Sequence, residues 1–102
     1  MEPDAIVKVR FKTPQEDGRR SSVTGNYYGC PFFVDGEYFD CRLLLAGRQL
    51  DLGMTYEVPV AFLRPDLVVE KLTEGKAFVL WEGKDIAAGK VIRVLTTKHE
   101  QT

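Results

Sequence analysis

Residues 74–95 read EGKAFVLWEGKDIAAGKVIRVL. Two apolar runs flank the dipeptide Glu82-Gly83. The order is strand, turn, strand, which is a β-hairpin. Gly89 interrupts the second run. A glycine inside a strand predicts a bend or bulge, as at the corner of a barrel.

The rest of the chain supports the same class. AIVKVRFK, residues 5–12, alternates without a break. Val7, Val9 and Phe11 share one face; Lys8, Arg10 and Lys12 share the other. That period of two is the pattern of a half-buried strand. Pro14 and Gly18 end it in a loop. Residues 19–37 are irregular, and short extended pieces are expected at 21–24 and 31–34. Asp35-Gly36 between apolar residues is a strong hairpin-turn signal. Residues 38–45 and 56–63 read as strands around the loop AGRQLDLG. Pro59 cannot donate a ladder hydrogen bond, so its strand is expected at an edge or with a bulge. DLVVEKL fits a short strand and a helical turn equally. The total is six or seven short strands without helical periodicity, which predicts an all-β barrel or sandwich. One domain is expected over residues 1–102, with its core at about 5–95 and a fraying polar tail at 96–102.

Composition narrows the function classes. Hydrophobic residues make up 44% and charged residues 28%, the balance of a globular chain. Fourteen basic residues face fifteen acidic ones, a formal net charge of −1, so no basic tail marks a nucleic-acid binder. No apolar run has membrane-spanning length. MEPDAIVKV opens with acids and lacks the order of a signal peptide, so the chain reads as cytoplasmic with no membrane partner. Cys30 and Cys41 lie outside any CxxC motif and are expected to be free thiols in a reducing compartment. A disulfide would need their Cα atoms within reach on adjacent strands.

No residue cluster carries chemistry. His99 is the sole histidine and sits in the polar tail, where no second group can hold it for nucleophilic catalysis. One histidine and two separated cysteines are too few for a metal centre. AAGK at 87–90 lacks the first glycine and the hydroxyl residue of a phosphate loop, so GTP binding is not expected. Ser21-Ser22 after Arg19-Arg20 has a kinase-site look, but such short patterns are common by chance and a polar edge strand is the favoured reading. Without an acid–base or nucleophile pair, the chain reads as a non-enzyme with no cofactor.

Several segments together resemble one family. AIVKVRFKTPQEDGRR is similar to an opening strand, acidic turn and Gly-Arg pair. LGMTYEVPVAFLRP aligns through Gly53 and Pro65. The closing hairpin aligns through Glu74, Gly75, Phe78, Glu82, Gly83, Gly89 and Val91. In this order they resemble the C-terminal β-barrel domain family of elongation factor Tu, over roughly residues 5–95. The resemblance implies a six-stranded Greek-key barrel. In the family this barrel touches aminoacyl-tRNA, the exchange factor and a neighbouring barrel. Here Tyr27-Tyr28-Gly29 stands where the family has Tyr-Arg-Pro, so the phosphate-facing arginine is not carried over. The GTPase domain and the middle barrel have no counterpart in these residues.

The aromatic set Tyr27, Tyr28, Phe32, Phe33, Tyr38 and Phe39 admits three readings: core filling, a protein interface, or a stacking platform for single-stranded nucleic acid. Tyrosine, tryptophan and arginine dominate interface hot spots, and binding residues concentrate in irregular segments and turns. Arg19, Arg20, Tyr27, Tyr28 and Trp81 are therefore the candidate binding residues. The expected function is a binding module that contacts a protein or a translation component. RNA binding through basic loops, and a small inhibitor or immunity-type role, are the alternatives.

Overall fold

The computed structural model describes residues 2–95, so His99 and the polar tail lie outside the described residues. The alternating N-terminal run forms β1 (Ala5–Phe11). Its odd-numbered side chains are buried, as the alternation requires. A 3₁₀ turn at Pro14–Glu16 follows. β2 (Tyr27–Val34) and β3 (Glu37–Leu44) form a hairpin. Asp35 (φ 52°) and Gly36 (φ 77°) are both left-handed, the twist that a two-residue hairpin turn needs. β4 (Thr55–Phe62) leads into one helical turn, α1 (Pro65–Val68), and a 3₁₀ turn at Val69–Lys71. DLVVEKL is thus helical, with Val68, Val69 and Leu72 buried. β5 (Ala77–Trp81) and β6 (Asp85–Val94) are the closing hairpin.

The six strands close into one antiparallel barrel in the order β1-β4-β3-β2-β5-β6, with β6 returning to β1. β2, β3 and β4 are consecutive neighbours, and β1 lies beside β4. That is the Greek-key arrangement. Inside, Phe32 stacks on Phe78 with centroids 4.3 Å apart and meets Phe62 edge-on at 4.9 Å. Val7, Val9, Leu43, Val60, Leu80 and Ile86 fill the space around them.

Four local expectations are corrected. The strand expected at 31–34 starts at Tyr27, because Gly29 and Pro31 pair along β3 without a break. The piece expected at 21–24 reduces to a single bridge, Val23 to Leu50. Pro59 sits neither on an edge strand nor at a bulge. It pairs in register with Ile6, and the β3–β4 ladder stops at Val60, so the donor that proline lacks is not called upon on that side. Gly89 is not a bulge either. The register slips instead near Ile92, between the pairs Ile6–Arg93 and Val7–Val91. Gly89 is needed for close approach: a Cβ there would overlap the Lys8 carbonyl oxygen and lie 2.8 Å from the Phe78 ring.

Asp4 ties the ends of the barrel together. Its backbone N–H donates to Val60 O (2.8 Å), its carboxylate accepts from Phe62 N–H (2.8 Å), and its carbonyl accepts from Leu95 N–H (2.9 Å). Among the described residues, no helix is long and apolar enough to cross a membrane.

Candidate functional site

Strand alternation sorts the aromatic set onto two faces. Phe32 is fully buried, and Tyr28 and Phe39 pack against the core from its margin. Phe33, Tyr38 and Tyr27 fall on the opposite parity and face outward. Tyr27 and Tyr38 are 56% and 55% exposed, too open to be core.

The candidate residues divide into three places. Arg19 and Tyr28 come together with Glu82 on the β5–β6 turn. Arg19 Nη1 donates to Tyr28 Oη (3.1 Å) and to Glu82 Oε1 (3.0 Å), and Tyr28 Oη donates to the same carboxylate oxygen (2.7 Å). The Arg19 guanidinium lies 5.0 Å from the centroid of the Tyr28 ring. Tyr28 also meets Phe11 edge-on at 5.8 Å. Burial, and then the hydrogen bond to Glu82, push ionisation of the Tyr28 phenol well above the usual range. This cluster clasps the irregular segment and the closing hairpin onto β2. Its hydrogen-bonding capacity is largely spent inside the molecule. Arg20 is exposed beside it and joins none of these bonds. Tyr27 stands apart on the outer face, with the Arg42 guanidinium 5.6 Å from its ring centroid.

Trp81 belongs to the third place, an outward aromatic cluster. Its ring meets Tyr38 at 5.6 Å, and Tyr38 meets Phe33 at 4.7 Å. The pairings Phe33–Tyr38 and Phe33–Val79 set these side chains next to each other across β3, β2 and β5. The apolar surface continues past Tyr38 to Leu63 and Leu67, which are 65% and 50% exposed. A depression of about 170 Å³ lined by Tyr38, Phe39, Asp40, Leu63, Arg64 and Leu67 lies between the two parts. A larger one, about 390 Å³, adjoins it and is lined by Gly29, Pro31, Asp40, Arg42 and Leu63 among others. Exposed apolar residues scattered singly are ordinary; here Phe33, Tyr38 and Trp81 gather on one outer face, with Leu63 and Leu67 across the depression.

Sequence reasoning named Trp81 as a candidate, held Phe33 and Tyr38 only in the wider aromatic set, and did not single out Leu63 or Leu67. Their signal was present. Phe33, Tyr38, Val79 and Trp81 all occupy the parity that a one-sided strand gives to polar residues.

The opposite flank, β1 and β6, has a different character. Lys8 faces Lys90 directly across the ladder. Like charges in that position destabilise a sheet. A depression of about 380 Å³ lies there, lined by Lys8, Arg10, Thr55, Ala88, Gly89 and Lys90. Arg10 is partly occupied, donating to Gly53 O (3.2 Å) and pairing with Glu16 (3.1 Å). Among the described residues, no three His, Cys, Asp or Glu side chains converge to hold a metal ion. No family model and no curated protein matches the chain.

Proposed function

We propose that this protein is a non-catalytic binding module that docks a protein partner on the apolar outer face of the barrel. The observation that carries the reading is the exposed set Trp81, Tyr38, Leu63 and Leu67 gathered on one outer face around a shallow depression. Large rigid aromatics bring contact area at small entropic cost, which is why they anchor interfaces. The six-stranded Greek-key order is what kinship with the elongation factor Tu C-terminal barrels would require, and it supports a translation component as the partner. An inhibitor or immunity-type protein would use the same face to occlude its target.

The test is a pull-down with the full chain as bait. A partner held by the wild type is expected to be lost with Tyr38→Glu and Trp81→Glu. Circular dichroism should show both variants folded, because both positions are exposed. Retention of the partner by both folded variants would sink this assignment.

RNA binding is the second reading, favoured by the opposed pair Lys8 and Lys90 and the depression beside them. Phosphate contacts make affinity fall steeply with salt. A gel shift at low salt that disappears with Lys8→Glu/Lys90→Glu would put this reading first.

A further inference from the structure

Cys30 and Cys41 are direct cross-strand partners in the β2–β3 hairpin. Both are free thiols, and both are buried, with 8% and 3% of their surface exposed. They lie on the inward parity with Phe32 and Leu43. Antiparallel partners hold their Cα atoms about 4.5–5.5 Å apart. A disulfide accepts about 4.4–6.8 Å. Their register therefore places the two side chains beside each other across the hairpin. Interaction with the Cys30 side chain, and burial after it, push the Cys41 thiol well above its usual range. Cys30 is the more exposed of the two residues.

Two buried cysteines can also serve as small core hydrophobes. Three features argue for more. The pair is in register rather than scattered. The depression of about 390 Å³ is lined in part by both cysteines. The β2–β5 ladder consists of the pairs at Phe32 and Phe33, so it does not extend to Cys30. Cys30 therefore lies beside a surface depression and beyond the end of the β2–β5 ladder.

We infer that Cys30 and Cys41 form a redox-modification site that closes to an intrachain disulfide when a peroxide supplies the oxidising equivalents. The Cys30 sulfur attacks one peroxide oxygen. The O–O bond breaks, one water leaves with the thiol proton, and Cys30 becomes a sulfenic acid. The Cys41 sulfur then attacks the Cys30 sulfur, the S–O bond breaks, and the hydroxyl leaves as a second water with the Cys41 proton. Two electrons pass from the two sulfurs to the peroxide. A dithiol reductant reverses the change by exchange and is itself oxidised. The bridge spans residues 30 to 41 and closes a ring around the hairpin that carries Phe33 and Tyr38.

The experiment treats the reduced, folded chain with hydrogen peroxide at neutral pH, removes the oxidant, and alkylates in denaturant. The expected product is about 2 Da lighter, the two hydrogens lost in forming one bridge. Its two alkylation sites should fall to none, and a non-reducing peptide map should join Cys30 to Cys41. Dithiothreitol should restore both sites. A folded chain that keeps two alkylatable thiols, or passes to sulfinic acids without the lighter species, overturns the inference. So does a bridge that forms only when the chain is unfolded in urea during oxidation. Cys41→Ala and Cys30→Ala, each checked for fold by circular dichroism, test the order of attack. A sulfenic-acid trap should label Cys30 in the first more than Cys41 in the second, and the reverse ranking refutes Cys30 as the attacking sulfur.

Discussion

Replacing Gly89 with alanine isolates the closest strand contact in the barrel. Gly89 lies between Val9 on β1 and Phe78 on β5, on the inward parity. Its φ is not in the left-handed region, so a side chain brings no backbone strain there. In open space the exchange would stabilise the fold by about 0.4–1 kcal/mol, because alanine restricts the unfolded chain. Space is what is missing. The new methyl would overlap the Lys8 carbonyl oxygen and meet the Phe78 ring at 2.8 Å. A ring can tilt, but a ladder carbonyl cannot rotate away without parting β1 from β6. Overpacking of this kind costs about 1–3 kcal/mol, and a backbone clash belongs at the upper end. The net loss expected is about 2 kcal/mol. For a domain of this size each kcal/mol lowers the melting temperature by about 4–8 °C, so the midpoint should fall by roughly 10 °C. Thermal melting followed by circular dichroism reads this directly. Adding Phe78→Leu should recover only part of the loss, because the carbonyl overlap persists. An unchanged or raised midpoint for Gly89→Ala would refute the close approach. Full recovery in the double variant would show that the ring alone set the limit.

Other outcomes follow from the same contacts. Asp4→Ala removes the acceptor of the Phe62 N–H and should destabilise the fold by about 1–3 kcal/mol in urea melts, the cost of a buried donor left unpaired. Spectrophotometric titration should show a component ionising well above the usual tyrosine range, and Tyr28→Phe should delete it. Because the folded phenol holds its proton more tightly than the unfolded one, whose ordinary pKa is about 10, its stabilising contribution is complete below about pH 10. It fades as the pH climbs through the folded value, so the pH dependence of wild-type stability above pH 10 should exceed that of Tyr28→Phe. In a partner-binding assay, Tyr38→Ala and Trp81→Ala should each cost about 2 kcal/mol of affinity if they are hot spots, with melting temperature little changed.

Much of the barrel was legible from local pattern. The alternation of residues 5–12, the Asp35-Gly36 turn and the closing hairpin each specify their own geometry within a few residues. The misreadings share a cause. Gly29, Pro31 and Pro59 are strand breakers in isolation, but each lies where one of its neighbouring ladders has ended. Which ladders end where is fixed by strands far apart in sequence, so no local window reveals it. The same holds for the outer face. Trp81 and Tyr38 meet through the order β3-β2-β5, which joins a hairpin to a strand some forty residues later. The cysteine pair was closer to reach. A two-residue turn at Asp35-Gly36 fixes every pair along the hairpin, and continuing the register backward puts Cys30 opposite Cys41.

The hydrogen bond from Leu95 to Asp4 means that the polypeptide enters and leaves the barrel at one point. A short peptide joining those two positions would bridge almost no distance. New ends could then be cut elsewhere, for instance between Ala46 and Gly47 in the exposed loop after β3. Such a circular permutant should keep all six strands, since domains with adjacent ends tolerate rewiring at exposed loops. By the same geometry the barrel can be spliced into a surface loop of a host protein as a cassette. There it would present Trp81 and Tyr38 without stretching the host's own backbone.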